Sequence, residues 1–260
     1  MSSIDVTRDG DIATVALNNP GKLNALTIAM WRELARVMRE LSADDALRCI
    51  VLRGAGDDAF AAGADIEEFV TERATLDQAR TYHHEYVNGV LKAVGECRHP
   101  TVAMIKGPCV GGGLEIACNC DLRISGASGR FGVPINRLGF AIAYDELAGL
   151  LALAGRAVAA EILLEGRVWS ADEAFAKGLL TRVVPDADAE REAYATARRI
   201  ADGAPLVARW HKEFIRRLTV AAPALTAAEI DANFDYLKTD DYRAGLDAFI
   251  NKKKPNFTGR

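Results

Sequence analysis

The chain has 260 residues, half of them apolar, and a formal net charge of −4 at pH 7. That length and composition can bury a substantial core and argue against intrinsic disorder. The acidic balance excludes a general nucleic-acid binder, which would show a basic excess.

The opening residues, MSSIDVTRDGDIATVAL, lack a basic segment followed by an apolar signal core. No unbroken apolar run reaches the roughly 18 residues of a membrane span, so a soluble, cytoplasmic protein without membrane contact is expected. IDVT and IATVALN read as short strands joined through Arg8-Asp9-Gly10-Asp11, residues that tolerate positive φ, and predict a hairpin. Asn18-Asn19-Pro20-Gly21 breaks the second strand. From about Thr27, the spacing of Ile28, Trp31, Leu34, Val37, Met38 and Leu41 predicts an amphipathic helix. CIVLRG reads as a buried strand, followed by the small-residue loop GAGDDAFAAGAD and a helix from about Leu76 to Val94 that ends before Pro100. TVAMIKG is a third central strand, and the repeated strand, loop and helix pattern predicts an α/β core. Beyond Pro185 only helical patterns occur, which suggests a helical appendage. A core over residues 1–200 and a C-terminal helical region over 201–260 are expected.

Cys49, Cys97, Cys109, Cys118 and Cys120 are odd in number and lack CxxC spacing. Cys118 and Cys120, one residue apart on a helix, point to different faces. Reduced structural thiols and no metal site are expected.

The stretch GPCVGGGLEIACNCD, residues 107–121, turns abruptly from a strand into a helix. Gly111, Gly112 and Gly113 leave backbone N–H groups unobstructed at the helix start, a place that attracts negative charge. Neither GxGxxG nor GxxxxGK with Ser or Thr occurs, which argues against dinucleotide or P-loop chemistry. Glu115 has two readings: a carboxylate favoured in a first helical turn, or a partly desolvated acid-base group among Leu114, Ile116, Ala117 and Cys118. Desolvation raises its pKa while the helix N-terminus lowers it.

The runs Asn19-Pro20-Gly21-Lys22-Leu23-Asn24-Ala25-Leu26, Phe60-Ala61-Ala62-Gly63-Ala64-Asp65-Ile66 and Gly111-Gly112-Gly113-Leu114-Glu115, followed by Cys120-Asp121, resemble the enoyl-CoA hydratase/isomerase (crotonase) family. The similarity continues through Gly178-Leu179-Leu180-Thr181-Arg182-Val183-Val184 to the ending KKPNFTGR. It implies a spiral of β-β-α units with a C-terminal helical trimerisation region, a homotrimer or hexamer, and an acyl-CoA thioester substrate with no separate cofactor. By position, the N–H groups of Ala64 and Gly112 match the family's oxyanion hole and Glu115 its acid-base carboxylate. A side chain at Gly112 is expected to obstruct the thioester carbonyl. Lys22, Leu23, Ala25, Ala62, Asp65 and Ile66, with Ala64 and Gly112, match the CoA groove. Lys252, Lys253 and Lys254 have two readings: groups able to reach the CoA phosphates of a neighbouring subunit, or a solvated tail.

The chain departs from the hydratase pattern at FGVPINRLG, where Ile135 stands in the place of a second glutamate. Isoleucine cannot activate a water. Asn136 can hydrogen-bond a water without taking its proton, and Tyr144, Asp145 and Glu146 read mainly as helix-start residues. His83 and His84 are expected on a solvent-exposed helix face. The sequence therefore points to an enoyl-CoA hydratase or isomerase working through a stabilised enolate. The alternatives are a decarboxylase or C–C lyase of the same fold, or an acyl-CoA-binding protein with little turnover.

Overall fold

The computed structural model of the chain describes residues 1–219, 226–232 and 234–255. The hairpin forms as expected: β1 (Ser3–Asp9) pairs antiparallel with β2 (Ile12–Asn18), with Gly10 at φ 60° in the turn. Thr27 caps α1 (Ile28–Ala43) by accepting from the Met30 N–H. β3 (Cys49–Gly54) follows. A 3₁₀ turn (Ile66–Glu68), α2 (Phe69–Glu72), α3 (Leu76–Arg80), a π-helical segment (Thr81–Val87) and α4 (Asn88–Gly95) then fill the region predicted as loop and helix.

β4 (Thr101–Ile105), β5 (Pro108–Val110), α5 (Gly112–Asn119), β6 (Leu122–Gly126) and β7 (Arg130–Gly132) come next. The C-terminal half holds α6 (Tyr144–Glu165), β8 (Trp169–Ser170), α7 (Ala171–Ala176), β9 (Arg182–Val184), α8 (Asp186–Ala201), α9 (Pro205–Thr219), α10 (Ala227–Ala232) and α11 (Asp240–Ile250).

The main sheet runs β1-β2-β3-β4-β6-β9, parallel from β2 onward, and a small sheet runs β5-β7-β8. Both faces of the main sheet are buried, so its central strands read as continuous apolar runs. Ile50 and Leu52 point to the core shared with α1, α4 and α5, while Cys49 and Val51 point the other way. On that second face, Ala193, Ala197 and Ala201 of α8 pack against Val102, Met104 and Ile124. Alanine every four residues lets the helix approach the strands closely. Asp186–Ala201 is thus a layer of the core, not part of an appendage. By contrast, α9 has no buried residue.

α6 is long and apolar enough to cross a membrane by length and composition. It is nevertheless interrupted at Gly155 (φ 75°, ψ 173°) and sends the buried Glu146 inward. The expected C-terminal motif lies partly outside the described residues, which stop at Pro255; Lys252, Lys253 and Lys254 are exposed.

Candidate active site

Two backbone segments, 62–66 and 110–115, wall one cavity of ≈ 100 Å³, and a third, 23–26, braces the first. The 61–65 segment is fastened to β5 by a parallel bridge between Ala61 and Cys109, and to the 23–26 segment by one between Leu26 and Ala64. In the second bridge, Leu26 N–H donates to Gly63 O and Asp65 N–H to Leu26 O, at 2.7 and 2.9 Å. A parallel bridge uses the groups flanking Ala64, so the Ala64 N–H itself is left over. Gly112 is the first residue of α5, where N–H groups lack intrahelical acceptors. Both residues line the cavity, and among the described residues neither N–H donates a hydrogen bond. Two unspent donors at one wall can polarise a carbonyl oxygen.

The glycines of this turn have separate reasons. Gly111 needs its φ of 51°. A Cβ on Gly113 would stand 2.5 Å from Ala61 O, and one on Gly112 would stand 2.8 Å from the Trp31 indole. A packing constraint therefore stands beside the expected obstruction of a carbonyl by a Gly112 side chain: the space beyond its Cα is filled by Trp31.

Glu115 lies on the first turn of α5, is 7% exposed and lines the same cavity. Burial, reinforced by the charge of Glu146, pushes its carboxyl well above the usual range, while Arg73 opposes this.

Glu146 is the residue the sequence underread. Its Oε2 accepts from Ala143 N–H at 3.3 Å, the helix-start role expected of it, while its Oε1 lies 2.5 Å from His83 Nδ1 inside the cavity. Burial alone would raise this carboxyl, but His83, Arg73 and the Ala143 N–H together hold it below the usual range. Burial also lowers the His83 pKa, while the charge of Glu146 opposes this. His83 is 3% exposed, contrary to the solvent-facing expectation. The π-helical segment changes the angular step, so a 3.6-residue wheel misplaces its faces. Phe69, Tyr82 and Phe140 close the far wall around Arg73.

Of the residues singled out in the sequence, Ala62, Ala64, Ile66, Gly112, Glu115 and Ile135 line the cavity. Lys22, Leu23, Ala25 and Asp65 form a strip beside it. There Ala62 N–H donates to Leu23 O at 2.9 Å, and Lys22 Nζ bonds Asp65 at 2.7 Å and Glu67 at 2.8 Å. Those two carboxylates raise the Lys22 pKa. Leu23 and Asn24 adopt left-handed φ values of 49° and 56°, and Asn24 pins the strip by donating to Ala59 O at 2.8 Å.

Three candidates lie outside the cavity. Asn136 is exposed and donates to Leu164 O at 3.0 Å. Tyr144 is 44% exposed, and Asp145 accepts from Asn88 at 2.8 Å. Glu146, next in line, turns inward because successive helical residues are about 100° apart. The five cysteines are free and buried, and no cluster of three or more His, Cys, Asp or Glu among the described residues is arranged to hold a metal.

A spiral α/β core, two unspent N–H donors and two buried carboxyls in one pocket define a crotonase-fold protein. The family model for enoyl-CoA hydratase/isomerase matches residues 7–260, and the chain belongs to that family. It is 35% identical over 259 residues to a probable enoyl-CoA hydratase of Mycobacterium bovis, covering 99% of this chain and 98% of that protein. Among solved structures, an enoyl-CoA hydratase/carnitine racemase from Magnetospirillum magneticum is 52% identical with a TM-score of 0.82, covering 100% of this chain and 97% of that one. A methylmalonyl-CoA decarboxylase in complex with 2-nitronate-propionyl-CoA is 26% identical with a TM-score of 0.88, over 99% and 98% of the two chains.

Proposed function

We propose that the protein is a cytoplasmic enoyl-CoA hydratase that uses Glu115 and Glu146 as its two carboxyl groups. The observation that carries this reading is that both are buried in one cavity with proton affinities pushed in opposite directions. Such a divergence assigns one group as acid and the other as base. The thioester oxygen accepts from the Ala64 and Gly112 N–H groups. Glu146 takes a proton from water as the water oxygen bonds to the β-carbon, and charge collects on the thioester oxygen as an enolate. Glu115 gives its proton to the α-carbon, and the proton left on Glu146 returns to Glu115 through water. No cofactor beyond the substrate's own CoA takes part. Lys22, Leu23, Ala25, Ala62, Asp65 and Ile66 border the CoA moiety.

A second reading, decarboxylation or C–C cleavage, draws support from Ile135 and from the likeness to methylmalonyl-CoA decarboxylase. Breaking the C–C bond would generate the enolate directly, with Glu115 as its single proton donor. The third reading is an acyl-CoA-binding protein with little turnover.

Turnover of short 2-enoyl-, 3-enoyl- and malonyl-type CoA thioesters, measured beside their binding, separates these readings. Hydration of the 2-enoyl thioester supports the proposal. CO₂ release without hydration favours the second reading, and tight binding without turnover the third. Exposed Leu206, Trp210, Phe214 and Leu218, every fourth residue on α9, supply an apolar face that supports assembly as a homotrimer or hexamer. Lys252, Lys253 and Lys254 would then be available to CoA phosphates on a neighbouring subunit.

A further inference from the structure

Arg73 is 1% exposed and forms no ion pair with a carboxylate among the described residues. The Phe69 and Phe140 rings lie 4.3 and 4.2 Å from its guanidinium. Its Nε and Nη2 both point to Tyr236 Oη, at 3.0 and 2.5 Å. A guanidinium can only donate, so the phenol oxygen is the acceptor of both bonds and its own hydrogen must be directed elsewhere. His83 Nε2 lies 3.4 Å from that oxygen, and the opposite ring nitrogen, Nδ1, reaches Glu146. The four side chains come from α2 and the turn after it, the π-helical segment, the start of α6 and the 3₁₀ turn at Asp235–Lys238. They form one continuous chain of hydrogen bonds.

We infer that Arg73, Tyr236 and His83 are positioning residues that lock His83 as the Nδ1–H tautomer and thereby keep Glu146 ionised and aimed as the reaction's base. This rests on the hydratase reading for its catalytic consequence, but not for the tautomer itself. The direction of every bond follows from its end: Arg73 donates to Tyr236, Tyr236 donates to His83 Nε2, and His83 Nδ1–H donates to Glu146. With Nδ1 already protonated, a further proton taken up by the His83–Glu146 pair must go to Nε2 or to the carboxylate. At Nε2 it meets the Tyr236 hydroxyl and the Arg73 cation, and both oppose it. The other titratable groups facing the pair are Glu115 from α5 and Tyr82 and His84 from the π-helical segment. Burial pushes the Glu115 carboxyl well above the usual range, and His84, turned towards Asp145 at 3.6 Å, stands outside the relay.

Two measurements test the inference. Nitrogen-15 NMR of the wild-type protein at neutral pH, without substrate, should find His83 neutral and protonated on Nδ1. A neutral Nε2–H tautomer would overturn the relay without touching the hydratase reading. In Tyr236→Phe, loss of the donor at Nε2 lets the pair take up a proton more readily, so the acidic limb of the kcat/KM profile should move up by about one pH unit. His83→Asn keeps an N–H for Glu146 and offers no site for an extra proton, so Tyr236→Phe should cause no further shift in that background. A folded Tyr236→Phe whose acidic limb matches wild type, or one that shifts equally in both backgrounds, would refute the inference. The Nδ1–H tautomer in a protein that hydrates no enoyl-CoA would leave the lock standing and remove the hydratase reading instead.

Discussion

Replacing Gly112 by alanine tests the oxyanion wall through a contact that can be measured. The added Cβ would stand 2.8 Å from both Cζ2 and Cη2 of Trp31. Carbon atoms pack best at about 3.5–4.0 Å, so about 0.7 Å of relief must be found. Trp31 is 1% exposed and lines the cavity, so its ring can yield only into the substrate space, or α5 must draw back with the Gly112 N–H. Overpacking of this kind costs about 1–3 kcal/mol. For a chain of this size that lowers Tm by roughly 2–12 °C. Loss of one oxyanion donor slows turnover by roughly 10²–10³-fold. Thermal unfolding and kcat on a short 2-enoyl-CoA read the two effects separately, and Trp31→Phe in the Gly112→Ala background should restore part of the stability by clearing the crowded ring edge. A folded Gly112→Ala protein with wild-type Tm and kcat would show that neither the packing constraint nor the donor assignment holds.

Glu115→Gln should reduce turnover by roughly 10²–10⁴-fold and, at neutral pH, raise Tm. The folded protein holds a proton on Glu115 that the unfolded chain releases, so stability falls as pH rises above the unfolded carboxyl value of 4.5. The gain from Gln should therefore vanish in melts below that pH, and unchanged turnover would return Glu115 to a purely structural place at the helix start. Ile135→Glu should lower stability, because a carboxylate at this half-buried position in the cavity wall loses part of its hydration, and on the proposed mechanism, with Glu146 as base, it should not increase hydration. An inert wild type that gains hydration from this substitution would move the base to position 135. Trp210→Glu with Phe214→Glu should convert an oligomer to a monomer in sedimentation, and an unchanged mass would place the subunit contact elsewhere.

Local features were legible in the sequence. Alternation and turn residues gave the hairpin, three-and-four spacing with Thr27 gave α1, and the glycine run gave the strand-to-helix turn that carries Gly112 and Glu115. These follow from interactions within a few residues, where backbone sterics and apolar periodicity suffice. The resemblance added the family, Ala64 and the absence of a glutamate at 135. What folding alone decided was the partner of Glu115. Glu146 reads as one of three polar residues at a helix start, and only the packing angle of α6 turns it inward while Tyr144 and Asp145 face out. His83 looked exposed because the π-helical segment has a different angular step from an α-helix. Arg73 and Tyr236 are 163 residues apart, and no periodicity encodes their meeting. Burial likewise set the opposed proton affinities of Glu115 and Glu146, because desolvation depends on how completely distant segments close over a group. Short-range sterics fix each element from its own residues, whereas the phase at which elements pack, and so the side chains that share a dry cavity, is a property of the whole chain.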